Sequence, residues 1–202
     1  MPTIDWPEAL VPQTAQFNLR KSTVQFASPF NGNPQAFDFI AERWVLSCSL
    51  AQMSARNPRG VDAFCNQLAG GIDRVRVWAF YAGTPRGTLR GTVTLSAGVV
   101  RGNTTLPVTG GTAASGSGPV TLLQGDFIGC GGQIFMVAAD VTLAGGAGSV
   151  PVVNRVRGTI ASGSSVTWYR PTCEMVLPAQ QAGPMRRPGA IDSAALDLIE
   201  VF

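Results

Sequence analysis

Histidine is absent from the 202 residues, and that absence excludes more chemistry than any residue present suggests. Without an imidazole, neither a Ser–His–Asp nor a Cys–His arrangement can be built. The four cysteines stand at 48, 65, 130 and 173 with no close pair, so metal-ligand spacing is missing as well. Cys48 alternates with apolar neighbours and Cys65 falls on an apolar helix face, which makes both of them small core residues. Neither Gly-x-Ser-x-Gly nor a phosphate loop ending in Gly-Lys-Ser/Thr occurs. The expectation is a protein with no catalytic residue, no cofactor and no metal of its own.

Charge is scarce too. Charged residues make up 13% of the chain, about half the usual share. Lys21 is the only lysine, so the net charge of +3 rests on arginine. Arginine suits interfacial ion pairs, because its planar fork makes two hydrogen bonds and it is weakly hydrated. A nucleic-acid binder shows a dense basic stripe, whereas these arginines are scattered, the nearest approaches being Arg74 with Arg76 and Arg186 with Arg187. No direct sequence-specific nucleic-acid partner is expected. No apolar run approaches the ~20 residues of a membrane span. Met1–Leu10 lacks the basic region and apolar run of a signal peptide, so folding in a reducing cytoplasm is expected.

What is present points to β structure. Apolar residues make up 45%, with 24 glycines and 14 prolines, and a chain of this size buries roughly 70% of its unfolded surface. Short runs at Ala15–Leu19, Thr23–Ala27 and Gln35–Ile40 carry phenylalanine, at alternate positions in Phe37 and Phe39, and Trp44, Leu46, Cys48 and Leu50 alternate with Val45, Ser47 and Ser49. One helix is predicted, with Asn57 as N-cap, Pro58 in the first helical position, and Val61, Phe64, Cys65 and Leu68 on one face. Gly70–Gly71 ends it. A strand over Ile72–Phe80 follows, with Val75, Val77 and Ala79 on one face and Arg74, Arg76 and Trp78 on the other.

From Thr84 onward, short strands alternate with Gly, Ser and Thr. Candidate strands are Leu122–Leu123, Phe127–Ile128, Ile134–Ala139, Val150–Val153 and Ser165–Trp168, and Gly110–Pro119 reads as a mobile hairpin tip. The predicted fold is mainly β (α+β). Residues 1–86, completed by 171–202, form a β-sandwich-like domain with one helix, and residues 87–170 form an inserted small β-barrel or sandwich module. The strand with Met175 and Leu177 returns to the first domain, and the apolar end Ile191–Phe202 is expected to dock.

Four constellations remain for function. Gly129–Gly132 reads as a tight turn, because no helix signal follows it. Asp126 and Asp140 flank one hairpin and are the best candidates for the carboxylate pair of a cell-wall glycosidase, although Asp also favours turns. Arg74, Arg76 and Trp78 form either an interfacial row or a solvated strand face. Trp168 and Tyr169 are candidate glycan contacts, should the chain be a carbohydrate-binding module that contacts a host surface.

Several motifs also resemble a known group. Trp6–Pro7, the Ser-Pro-Phe-Asn-Gly turn at 28–32 and Glu42–Trp44 are followed by Leu-Ala-Gly-Gly at 68–71 and Pro-Arg-Gly-Thr-Leu-Arg-Gly-Thr at 85–92. Leu-Leu-x-Gly-Asp leading to Gly-Gly-Gln-Ile-Phe-Met-Val over 122–137, and Arg-Pro-Thr at 170–172, complete the set. Together they resemble virion structural proteins of tailed bacteriophages, and the layout of strands, helix and strand is similar to distal tail proteins. The resemblance implies a ring, usually six-fold, that joins the tail tube to the baseplate hub or fibres. Its contacts would be heterologous and closing, each burying well over ~2,000 Å². A tail adaptor of a short-tailed phage would carry the same signature. The group offers no catalytic residue to carry over.

Overall fold

Where every second side chain is apolar, as around Trp44, the chain meets both its backbone and its hydrophobic needs in a sheet with one buried face. The computed structural model describes residues 2–27, 32–51, 58–68, 71–178, 185–187 and 190–201, and it is mainly β with one helix among them. In chain order the first elements are β1 (Thr3–Asp5), β2 (Pro12–Ala27), β3 (Pro34–Ala51), α1 (Pro58–Leu68) and β4 (Arg74–Val77). Short strands follow: β5 (Leu89–Arg90), β6 (Val93–Leu95), β7 (Thr105–Thr109), β8 (Thr112–Ala113) and β9 (Val120–Leu122). Next come β10 (Phe127–Cys130), β11 (Gln133–Met136), β12 (Val141–Leu143), β13 (Gly148–Pro151) and β14 (Ser165–Thr167). The last are β15 (Cys173–Val176), β16 (Met185–Arg187) and β17 (Ala190–Glu200).

A seven-stranded sheet has the order β1-β4-β15-β17-β3-β2, with β16 beside β17. Met175 pairs with Val75 on one side and Glu200 on the other, so the returning strand and the apolar end both become interior strands. A six-stranded sheet, β11-β10-β14-β6-β7-β13, is flanked by the ribbons β9–β12 and β5–β8. Each sheet has its own apolar cluster. Trp6, Phe17, Trp44, Leu68, Val75 and Met175 belong to the first, and Leu89, Val93, Leu106, Ile128, Phe135 and Val150 to the second. Phe64, Cys65 and Leu68 are buried as the helical spacing predicts, and Gly71 leaves the helix at φ +68°. Asn57, Gly70, Ser28–Asn31 and the side chains of Val61, Arg186 and Arg187 lie outside the described residues.

Three expectations about elements need correction. The separate runs before and after Pro29 are the two halves of one long hairpin, β2–β3, with a register shift where Ile40–Glu42 stand opposite Lys21. The shift hides the strand's continuity in the sequence, because apolar residues occupy even positions from 44 to 50 and odd positions at 37 and 39. The strand predicted over Ile72–Phe80 is shorter, since β15 stops pairing at Cys173 opposite Val77. Gly110–Pro119 is not all hairpin tip: Thr112–Ala113 pairs with Leu89–Arg90. Gly111 meets a close approach there, for a Cβ on the facing Gly146 (φ +77°) would stand 1.9 Å from the Gly111 carbonyl.

Polar groups bind the two sheets together. Glu200, fully buried, accepts the Trp44 backbone N–H at 2.9 Å and both arms of the Arg157 guanidinium at 2.6 and 2.5 Å. Arg155 donates its backbone N–H (2.8 Å) and Nε (3.3 Å) to buried Glu42, and its guanidinium also reaches Asp38. Leaving one buried charge without its partner costs about 3–5 kcal/mol. Glu200→Gln is therefore expected to lower unfolding stability by about that much, read from urea denaturation. Arg157→Met combined with Glu200→Leu should recover part of the loss.

All four described cysteines are free and buried. Burial, with Asp197 and Cys65 nearby, pushes the Cys48 thiol up from 9.0 to about 12, and burial raises Cys65, Cys130 and Cys173 as well. The folded chain therefore holds these protons above the pH at which the unfolded chain releases them. Their contribution to stability is complete below pH 9.0 and, for Cys48, is lost as pH rises toward about 12. Thiol titration should show no reactive cysteine in native protein at neutral pH, and melting temperature should fall as pH rises past 9.0.

Candidate functional site

Alternation along β4 buries Val75 and Val77 and turns Arg74 and Arg76 outward. The structure does bring these two arginines together, but each has a partner in the same chain. Arg74 Nη1 lies 2.8 Å from Glu174 on β15, and Arg76 Nη1 lies 3.2 Å from Asp5 on β1. Trp78 follows the last residue of β4, and burial still alternates there, with Val77 and Ala79 buried on either side of it.

The two carboxylates weighed as a catalytic pair, Asp126 and Asp140, each accept backbone N–H groups. Asp126 is buried and accepts the backbone N–H groups of Arg86 (2.8 Å), Gly87 (3.0 Å) and Leu123 (2.8 Å). Exposed Asp140 accepts from the Gln124 N–H at 2.7 Å. Gly131 and Gly132, at φ +58° and +75°, connect paired Cys130 and Gln133. Two positive φ values in a two-residue hairpin loop are what a type I′ turn requires.

Trp168 and Tyr169 are neighbours at 6.1 Å between ring centroids, but the structure gives them different roles. Trp168 donates Nε1–H to the Gly91 carbonyl at 2.8 Å and lies under the Arg90 guanidinium, 5.0 Å from its ring centroid. Tyr169, 52% exposed, joins Trp78 instead. With Trp6, Phe80, Glu8 and Arg170 they line a cleft of about 310 Å³.

Topology explains the meeting. Because β1 and β4 run parallel, Trp6 and Trp78 emerge at the same end of the sheet. β15 runs antiparallel to β4, so the residues that lead into it arrive at that end too. The Arg170 guanidinium stands 5.0 Å from the Trp78 ring centroid and 5.4 Å from that of Tyr169, within cation–π range. Its Nη1 is 3.3 Å from Glu8, and its backbone N–H donates to Gly83 at 2.7 Å. Sequence reading missed Glu8 and Arg170; the sole signal was Arg170 within the Arg-Pro-Thr motif.

A second surface is an arm. Every described residue from Thr23 to Ala27 and from Asn33 to Phe39 is exposed, so this end of the β2–β3 hairpin stands clear of the body. Val24 pairs with Phe37, and Phe26 and Phe39 lie two residues along their strands, so all four share one face. They are 41%, 54%, 58% and 54% exposed for Val24, Phe37, Phe26 and Phe39. Beyond β2 no further strand pairs among the described residues, which leaves a long open edge. The arm's base is tied down where Arg155 reaches Asp38 and Arg101 donates to the Ile40 carbonyl at 3.4 Å.

The two aspartates should separate on substitution. Asp126→Ala leaves three backbone donors without an acceptor and is expected to cost roughly 2–4 kcal/mol, against under about 1 kcal/mol for Asp140→Ala. Urea denaturation of both variants measures the difference. No family model and no curated protein matches the chain.

Proposed function

We propose that the protein is a virion structural subunit of a tailed bacteriophage that assembles with its own copies into a ring. In this reading the ring sits at the distal end of the tail and links the tail tube to the hub or fibres. The observation that carries self-assembly is the β2–β3 arm, which offers an unpaired strand edge and a four-residue apolar face side by side. A long, flat, apolar edge is a template for pairing with another chain unless something covers it. Four half-exposed apolar side chains present on the order of 400 Å². At ~25 cal/mol per Å² their burial is worth roughly 10 kcal/mol, comparable with the cost of associating.

The occupant is a second copy of this chain. A heterologous contact uses a different surface of the neighbour, so each copy offers one arm and receives another, and copies related by a closing rotation form a ring. The tail location and the six-fold number come from the motif resemblance described above.

Native mass by light scattering at near-physiological salt tests the reading. Wild type is expected to form a closed oligomer of about six copies, and Phe37→Ser with Phe39→Ser is expected to give a monomer with an unchanged melting temperature. An oligomer that survives this substitution would remove the arm from the interface. Reversing charge at Arg74 and Arg76 is a poorer test, because it sets new carboxylates against Glu174 and Asp5.

A further inference from the structure

The aromatic cleft lies at the β1–β4 edge of the large sheet, and the arm lies at the opposite, β2 edge, so ring assembly through the arm does not account for it. We infer that this cleft is a saccharide site that takes a neutral pyranose unit, packed against its aromatic lining beside Tyr169 and hydrogen-bonded by Glu8 and Arg170.

The walls are preformed. Trp78 and Phe80 lie 4.9 Å apart, and Phe80 meets Trp6 edge-on at 5.0 Å. Trp6 is buried and gives its Nε1–H to the Leu10 carbonyl at 2.6 Å, so the floor offers an apolar surface with its one polar atom satisfied. A volume of about 310 Å³ falls at the small end of ligand sites and suits one sugar unit of a longer chain. A pyranose has an apolar C–H face and a rim of hydroxyls, so it needs aromatic rings below and short planar polar groups at the side.

Charge decides between ligand classes. The lining carries one carboxylate, Glu8, and one guanidinium, Arg170, 3.3 Å apart. An anion drawn to Arg170 would face Glu8, and a cation drawn to Glu8 would face Arg170. A neutral sugar avoids both repulsions: vicinal hydroxyls donate to the two Glu8 oxygens, and Arg170 donates to a hydroxyl or ring oxygen. The Glu8 side chain is 87% exposed, so its present ion pair is weak and exchanges readily.

Arg170 also stores strain. At φ +44° it is the one non-glycine residue in the left-handed region among those described. Such a conformation persists where the surroundings over-determine it, and it concentrates at ligand sites. Here it places the guanidinium over both rings.

The test is saturation-transfer NMR on the full chain. The probes are disaccharides of glucose, galactose, mannose and N-acetylglucosamine, with glucuronic acid and glucosamine as charged controls. Transfer to the ring C–H protons of at least one neutral disaccharide is expected. Tyr169→Ala and Glu8→Gln, both at exposed side chains, should weaken binding roughly ten-fold without moving the melting temperature. Arg170→Gly, which accepts the same φ, should lose sugar affinity yet keep its stability. Absence of transfer to every neutral sugar, transfer that persists in Tyr169→Ala, or preference for a charged control would each overturn the inference. So would an Arg170→Gly chain that loses stability but still binds, since that outcome makes the arginine a structural latch alone.

Discussion

Phe127 and Ile128 are consecutive in the chain, yet they are buried in different cores, and the same holds for Ile134 and Phe135. The β10–β11 hairpin is therefore covered on both faces, and the rest of the architecture has to supply what such a hairpin lacks. On the first face, Phe127 packs edge-on against Trp44 and Phe17, which stack on each other at 4.7 Å. Trp44 also donates its Nε1–H to the Ile134 carbonyl at 3.0 Å, so one ring serves both packing and backbone satisfaction. Asn154 completes the edge: its amide donates to the same carbonyl at 2.8 Å and accepts the Met136 N–H at 3.1 Å. In a hairpin enclosed in this way, a backbone group left without a partner at any of these points would be costly.

The segment 154–157 owes its place to that constraint. Having capped β11 with Asn154, it continues with Arg155 and Arg157, whose guanidiniums reach Glu42 on β3 and Glu200 on β17. Buried ion pairs gain little net stability over a well-packed apolar substitute, but they penalise every arrangement in which one partner is misplaced. In this fold they set the register between the two sheets: Glu200 holds the Trp44 N–H as well as Arg157, so β3, β17 and the hairpin cannot shift independently. The scarcity of charge noted in the sequence has a counterpart here, since much of it is spent inside the chain.

What could be read from the sequence was what depends on neighbours in the chain. Alternation at Trp44–Leu50, the helix face of Phe64, Cys65 and Leu68, the Gly131–Gly132 turn and the return strand with Met175 all rest on local period or turn chemistry. Features that depend on distant partners were not legible. Arg157 and Glu200 are 43 positions apart, and Arg155 and Glu42 are 113 apart, with nothing local to mark either pair. Phe37 and Phe39 were read as strand residues, but alternation names a face without saying whether that face is covered. At the cleft, the sequence offers Tyr169 together with its chain neighbour Trp168, whose ring lies 6.1 Å away but whose Nε1–H is committed to the Gly91 carbonyl. Its companion in the cleft is Trp78, just past the end of β4.

That companion follows from a single topological choice. Most pairings in the large sheet are antiparallel, and in an all-antiparallel sheet the residues after successive strands leave at opposite ends. β1 instead lies parallel to β4, in register Thr3 to Arg74 through Asp5 to Arg76. Three paired residues are a weak strand by themselves, and what fixes them is the chain on either side. The Arg74 N–H donates to Pro2 at 3.2 Å, the Trp6 N–H to Arg76 at 3.3 Å, and Trp6 then anchors in the core against Phe64 and Phe80. A short edge strand held by an aromatic anchor leaves the residues just past it, Glu8 to Val11, on the rim of the cleft. The same pairing that closes the sheet at this edge thus builds one wall of the cleft, while the segment before β15 builds the other. An antiparallel β1 would have placed Trp6 and Trp78 at opposite ends of the sheet, and no cleft would form between them.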